Sequence, residues 1–342
     1  MPIDLTSTRR LGRTDPRLPP FGLGCAPIGG LFEAVEEGTA RAVLDAAWEH
    51  GIRFYDTAPW YGLGLSEHRT GAFLRDRPRG AFRLTTKVGR YLRRPPVPDR
   101  FDRGPWAGGL DFEVRFDYGR DGILRAYEQS LQRLSLPKVD ALFVHDLDQL
   151  YHDDATLARH LRDLKEGGLQ VLEELKARGE IAAVGMGVNT TRALEEIVPQ
   201  VPVDFILLAM PYTLLDQVCL HGGLARCVEE GIGVVIGAPF ASGILATGSR
   251  GGGTYDYVGP PAEVVRKVQG IEAACARHGV SLQAAALQFP LAHPAVASVV
   301  SGAKRPEQVA ANVRALAEPI PVAFWDELRA EGLVHPAAPL TD

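Results

Sequence analysis

The chain has 342 residues, 46% hydrophobic and 23% charged, enough for a core that needs neither disulfide nor metal staples. A net charge of -5 and an isoelectric point near 6.0 exclude a general attraction for nucleic acid. Cys25, Cys219, Cys227 and Cys275 form no CxxC pair, and that spacing points to a reducing compartment. Residues 1–10 carry no apolar signal core, and the runs 205–210 and 233–236 are too short to span a bilayer. The expectation is a cytoplasmic, soluble protein with neither membrane nor nucleic-acid partners.

Along the chain, short apolar runs alternate with longer amphipathic stretches. Residues 8–20 predict a hairpin across the bottom of a barrel, ahead of a first core strand at Phe21-Gly-Leu-Gly24. A helix over 39–50 follows, capped by Thr39, with Ala42, Val43, Ala46 and Ala47 on one side and Gly51 as its stop. A strand at 52–55 precedes a helix from Ser66, and 83–86 precedes, after an interruption, a helix over 121–134. The strand 141–144 leads to a helix ending near Arg178-Gly179, 181–188 to one from Thr190, and 205–209 to one from Asp216. Residues 233–237 lead into a glycine-rich loop and helices from Pro261 and Ser281; 296–300 precedes a helix over 306–317.

Strands that read as continuous apolar runs are buried on both faces, which implies a parallel sheet covered by helices. Eight such units close into an α/β fold of the (β/α)8 TIM barrel type. An open doubly wound sheet is the alternative, but no GxGxxG follows any strand. One domain over 1–342 is expected, with long loops at 88–118 and 247–261. The first carries Tyr91, Phe101, Trp106 and Phe112, and so favours a folded lid. Its basic stretch from Arg90 to Arg100, with Arg93 and Arg94 among Pro95, Pro96 and Pro98, reads as a solvated loop; an anion-binding lid is the alternative.

Active sites of such barrels lie where the strands end. The second strand ends at Asp56 with Tyr61 in the following loop, the third at Lys87 and the fourth at His145. Singly, these residues have plain readings as a helix cap, a surface lysine and a core histidine. Together they make chemical sense. A tyrosine titrates near ~10, an adjacent ammonium favours its phenolate, and a carboxylate holds that ammonium. An imidazole can then orient the substrate oxygen, so that a proton moves in step with a hydride. No HExxH, GxSxG, P-loop or metal-ligand histidine spacing competes, and no metal is expected.

On Asp56-Thr-Ala-x-x-Tyr61-Gly62, Thr86-Lys87, Val144-His145, Ser301-Gly-Ala-Lys-Arg-Pro-Glu-Gln308 and Asn312, the sequence closely resembles the aldo-keto reductase superfamily over essentially its whole length. The resemblance implies a barrel that binds NAD or NADP without a Rossmann domain, with Asp56, Tyr61, Lys87 and His145 as the catalytic set. Cofactor contacts are implied at Gly24, Cys25, Asp56 and Asn189. Tyr212 matches the tyrosine that stacks on nicotinamide. Pro239, Phe240, Ala241, Ser242, Gly243 and Leu245 match the loop that holds the pyrophosphate, and Gly302, Ala303, Lys304, Gln308 and Asn312 the adenosine end.

Two departures stand out. Gly185-Met-Gly-Val-Asn189 lacks the serine common at that strand end and displaces its asparagine by one, and Ala311 stands where a glutamate is common. Cations for a 2′-phosphate are reduced to Lys304 and Arg305, a lean toward NAD or dual use. Phe116-Asp-Tyr-Gly119, His145-Asp146, Tyr212 to Gln217, and Ser242 to Gly248 with Thr254 to Tyr257 resemble the L-fucose and D-threo-aldose 1-dehydrogenase branch, and pyridoxal 4-dehydrogenases look similar there. The implied reaction oxidises the cyclic hemiacetal of an aldose to a lactone. Pyridoxal oxidation and general aldehyde or ketone reduction are alternatives, and a cofactor-sensing binding subunit is the non-enzymatic one. Tyr61, His145, Trp60, Tyr91 and Trp106 are the expected substrate residues, since aromatic faces suit a sugar ring or a pyridine.

Overall fold

A computed structural model describes residues 3–97 and 101–340; Pro98, Asp99 and Arg100 of the basic stretch lie outside the described residues. A short antiparallel hairpin, β1 (Arg9–Arg10) and β2 (Arg17–Leu18), comes first. Its Leu11 and Leu18 are buried with Phe54, Phe143, Phe205 and Val235, so the hairpin stops the barrel from below. The contact is close: Gly12 abuts the backbone of Asp204 and Gly233, where two barrel strands begin.

The eight barrel strands are β3 (Phe21–Gly24), β4 (Phe54–Asp56), β5 (Arg83–Val88), β8 (Ala141–His145), β9 (Ala183–Val188), β10 (Phe205–Ala209), β11 (Gly233–Gly237) and β12 (Val296–Gly302). Every neighbouring pair is parallel, and β12 returns to β3, so the sheet closes. Between β5 and β8 the chain makes a second antiparallel pair, β6 (Arg90–Arg93) with β7 (Glu113–Phe116), in which Arg90 faces Phe116 across the ladder. The expected lid is thus a hairpin rooted at the mouth.

The outer layer holds α1 (Glu37–Glu49), α2 (Leu65–Leu74), α3 (Arg120–Leu134), α4 (Asp154–Asp163), α5 (Leu169–Ala177), α6 (Thr191–Glu196), α7 (Ala225–Glu230), α8 (Ile244–Thr247), α9 (Ala262–His278), α10 (Leu282–Gln288), α11 (Pro306–Ala317) and α12 (Val322–Ala330). Thr190 and Ser281 cap α6 and α10 through their side chains, as their sequence positions suggest. Thr39 does not cap α1: the break comes at the extended backbone of Glu36, which leaves Thr39 inside the first turn. Asp216 starts no helix either. Its carbonyl accepts the Thr213 amide at 2.8 Å and its carboxylate the Tyr255 hydroxyl at 2.8 Å, which closes a loop. Helical structure begins only at Leu220, and α12, which buries Phe324, Trp325 and Leu328, is an addition to the expected set.

Candidate active site

Asp56 ends β4, Lys87 lies one residue from the end of β5, and His145 ends β8; Tyr61 opens a tight turn, Tyr61–Gly64, between β4 and α2. That turn is held by glycines. Gly62 has φ +65°, and a Cβ there would meet the Gly29 carbonyl oxygen at 2.3 Å. Only a residue without a side chain lets the two backbones touch. The Lys87 ammonium donates to Asp56 Oδ2 at 2.6 Å and to the Thr57 carbonyl at 2.9 Å, while Thr85 donates to Asp56 Oδ1 at 2.7 Å. It lies 4.6 Å from the centroid of the Tyr61 ring. The His145 ring stands 5.9 Å from that of Tyr61, at 85° to it. All four side chains therefore meet at one mouth.

Burial sets their electrostatics. It pushes the Tyr61 phenol well above its ordinary value, and the Asp56 and Asp146 carboxylates push the same way. The Lys87 ammonium beside the ring does not outweigh these effects: with Asp56 at 2.6 Å part of its charge is balanced locally, and burial sets the net direction. Burial also holds His145 well below the usual histidine range, helped by the Arg90 and Lys87 cations, so the imidazole is neutral.

Trp106 is buried in the lid hairpin, 5.6 Å from the Tyr61 ring and 5.5 Å from that of Trp60, which it meets edge-on. Tyr91 is not brought to the mouth. Side chains alternate along β6, and Tyr91 lies on the α3 side under Arg125, 4.8 Å from its ring centroid. Its neighbour Arg90 faces inward instead. Arg90 is 2% exposed, paired with Asp146 and packed 4.3 Å from the Phe116 ring centroid and 4.6 Å from that of Tyr151. The solvated-loop reading fails for Arg90, because hairpin pairing folds it over the site. Arg90, Asp146 and Tyr151 are the mouth residues that the sequence reading missed. The one available signal was the Asp directly after His145.

The proposed cofactor residues divide. After β11, Ala238, Ala241, Ser242 and Gly243 have φ of +49°, +49°, +61° and +138°, and three of these are not glycine. Such strain at a strand end fits a ligand clamp. Pro239, Ala241 and Leu245 are buried, which leaves their backbone and the half-buried Phe240 and Ser242 to face a ligand. At the start of α11, Gly302 is exposed, Ala303 and Asn312 are buried, and the Gln308 side chain accepts the Lys304 amide at 2.7 Å and that of Arg305 at 3.3 Å. A helix start beside Lys304 and Arg305 fits an anionic group. Both cations presently face Glu33, at 3.0 and 3.5 Å.

Three expected contacts do not reach the mouth as drawn. The Tyr212 ring is fully enclosed between barrel and helices, 5.4 Å from both Phe289 and His293, so it has no free face for stacking. Cys25 is enclosed beside Gly24, its amide bonded to the Asp56 carbonyl at 2.8 Å. Asn189 donates from Nδ2 to Asp146 at 2.8 Å, which commits that amide group to the protein.

The donor set, the strained loop and the helix start are thus compatible with an extended dinucleotide. Residues 20–331 match the family described as the aldo/keto reductase family. A pyridoxal 4-dehydrogenase of Microbacterium luteolum is 39% identical, with 98% of this chain and 100% of that one covered. A D-threo-aldose 1-dehydrogenase of a Pseudomonas species is 40% identical, covering 93% and 95%. The holo form of the aldo-keto reductase AKR11C1 from Bacillus halodurans superposes with a TM-score of 0.73 at 26% identity, 97% of each chain being covered.

Proposed function

The chain belongs to the aldo/keto reductase family and is an oxidoreductase that uses NAD or NADP, and on that premise we propose that it oxidises the cyclic hemiacetal of a free aldose to a lactone. Two relatives bear names for aldose and pyridoxal oxidation, and both kinds of substrate exist as cyclic hemiacetals. The observation that carries the reading is the buried Lys87–Asp56 pair beneath the Tyr61 ring, with His145 against the same ring.

Bound NAD(P) supplies the hydride acceptor. Tyr61, once its phenol has lost its proton to solvent, takes the proton of the anomeric hydroxyl as that carbon loses its hydride, so the C–O bond becomes a carbonyl and Tyr61 returns to the phenol. Lys87 stabilises the phenolate as it forms, Asp56 holds Lys87, and neutral His145 positions the substrate oxygen by a hydrogen bond. Trp60 and Trp106 form an aromatic wall for the ring that carries the reacting carbon.

Pyridoxal is the second reading, supported by the match over the full length of its dehydrogenase and by a wall that suits a pyridine equally. Initial rates with L-fucose, other free aldoses and pyridoxal, each with NAD+ and NADP+, separate the two at the reduced-nicotinamide absorbance. The first reading predicts the highest kcat/KM with an aldose. Faster oxidation of pyridoxal would replace it with the second, and no turnover of either would sink both.

A further inference from the structure

We infer that Arg90 and Asp146 form a positioning pair for His145, in which the carboxylate anchors the imidazole and the guanidinium holds and neutralises the carboxylate. The inference rests on His145 meeting the substrate oxygen as proposed above. Asp146 has φ of +52°, the left-handed region that asparagine and aspartate enter more readily than other side chains. Its Oδ2 lies 3.2 Å from His145 Nε2 and also meets Arg90; its Oδ1 accepts from Asn189 Nδ2 at 2.8 Å. Both members of the pair are more than nine-tenths buried. The strand end is braced as well, since the Tyr118 hydroxyl donates to the His145 carbonyl at 2.7 Å. Asp148 Oδ2 accepts the Asn189 amide at 2.7 Å on the adjoining strand end.

A buried ion pair is costly to desolvate and brings little net stability. Set against an imidazole, it has a use. Nε2 lies 3.2 Å from Asp146 Oδ2, while Nδ1 is buried without a hydrogen-bond partner, so Asp146 is the polar group that fixes how the ring sits and leaves the Nε2 edge as the one toward the mouth. The contact stops the ring from turning. A carboxylate alone beside an imidazole would favour its protonation; Arg90 offsets that charge. Tyr61, Lys87 and Tyr118 are the other titratable groups near His145, and Lys87 opposes protonation too.

The imidazole of His145 can be followed in 15N-histidine-labelled protein, its signal assigned by its loss in His145→Gln. In the unaltered protein it is expected to stay neutral through the range where an ordinary histidine titrates. Arg90→Met, which leaves Asp146 unopposed, should raise its titration midpoint by at least about one pH unit. Arg90→Lys, a milder change should Arg90→Met fail to fold, should keep it neutral. Asp146→Asn, nearly isosteric, should lower kcat by about tenfold or more with KM changed less than about threefold. An unmoved titration in Arg90→Met, titration near neutrality in Arg90→Lys, or native kcat in Asp146→Asn, would overturn the pairing. Native turnover in His145→Gln would instead remove the reading of the site on which the pairing stands, so the two failures are distinguishable.

Discussion

At the scale of residues, the chemistry turns on how a buried phenol is made to give up and take back a proton. Burial and two carboxylates hold Tyr61 protonated in the cofactor-free site, so its phenolate fraction, and with it the oxidation rate, should climb with pH. No plateau is expected below about pH 10, the ordinary tyrosine value, because the shift is upward. Lys87→Met removes the cation beside the ring and disfavours the phenolate further, so the rising limb should move to still higher pH; an unchanged kcat profile in that variant would contradict the role of Lys87. Asp56 and His145 were legible because each ends an apolar strand in a polar side chain, a pattern that burial of a strand imposes, while Lys87, next to a strand end, and Tyr61, in the following turn, were legible as members of the same set. Arg90 was not legible, since a basic stretch among prolines looks the same whether it is solvated or folded over a site. Only pairing with Phe116, 26 positions away in sequence, decides it.

At the scale of elements, the turn that carries Tyr61 depends on backbone contact rather than side-chain packing. Gly62→Ala forces a Cβ into the Gly29 carbonyl and a non-glycine residue into a left-handed conformation. The expected cost is at least about 1–3 kcal/mol, read in thermal melts, together with a fall in kcat as Tyr61 shifts. A variant with native melting and native kcat would show that the turn tolerates displacement. The start of α11 bears on cofactor choice. Glu33 already engages both Lys304 and Arg305, so these cations are partly spent before a 2′-phosphate arrives. Glu33→Gln should lower the KM for NADP+ more than that for NAD+; equal change in both would argue that the two cations do not read that position. Tyr212 shows the limit of motif matching at this scale. Its motif follows the right strand, yet the chain turns the ring outward against Phe289 and His293, and no local pattern in the sequence marks which way it turns.

At the scale of the whole molecule, the eight short parallel strands and most of their helices were readable from period and apolar runs, because a closed barrel requires continuous apolar strands. The hairpin stopper was readable for a similar reason, as a polar segment with two leucines ahead of the first core strand. The loops over the mouth were readable only as long and aromatic. Their meeting is tertiary: Tyr257 of the second long loop packs 5.8 Å from Phe32 beyond β3, and its amide donates to Ser242 at 2.9 Å. These contacts bring the second long loop over the loop after β11. The direct test compares Tyr61→Phe with the unaltered protein, measuring kcat by nicotinamide reduction and cofactor affinity by binding titration. The expected result is a fall in kcat of about 10²–10⁴-fold with cofactor affinity changed less than about threefold. Near-native turnover in Tyr61→Phe would contradict it.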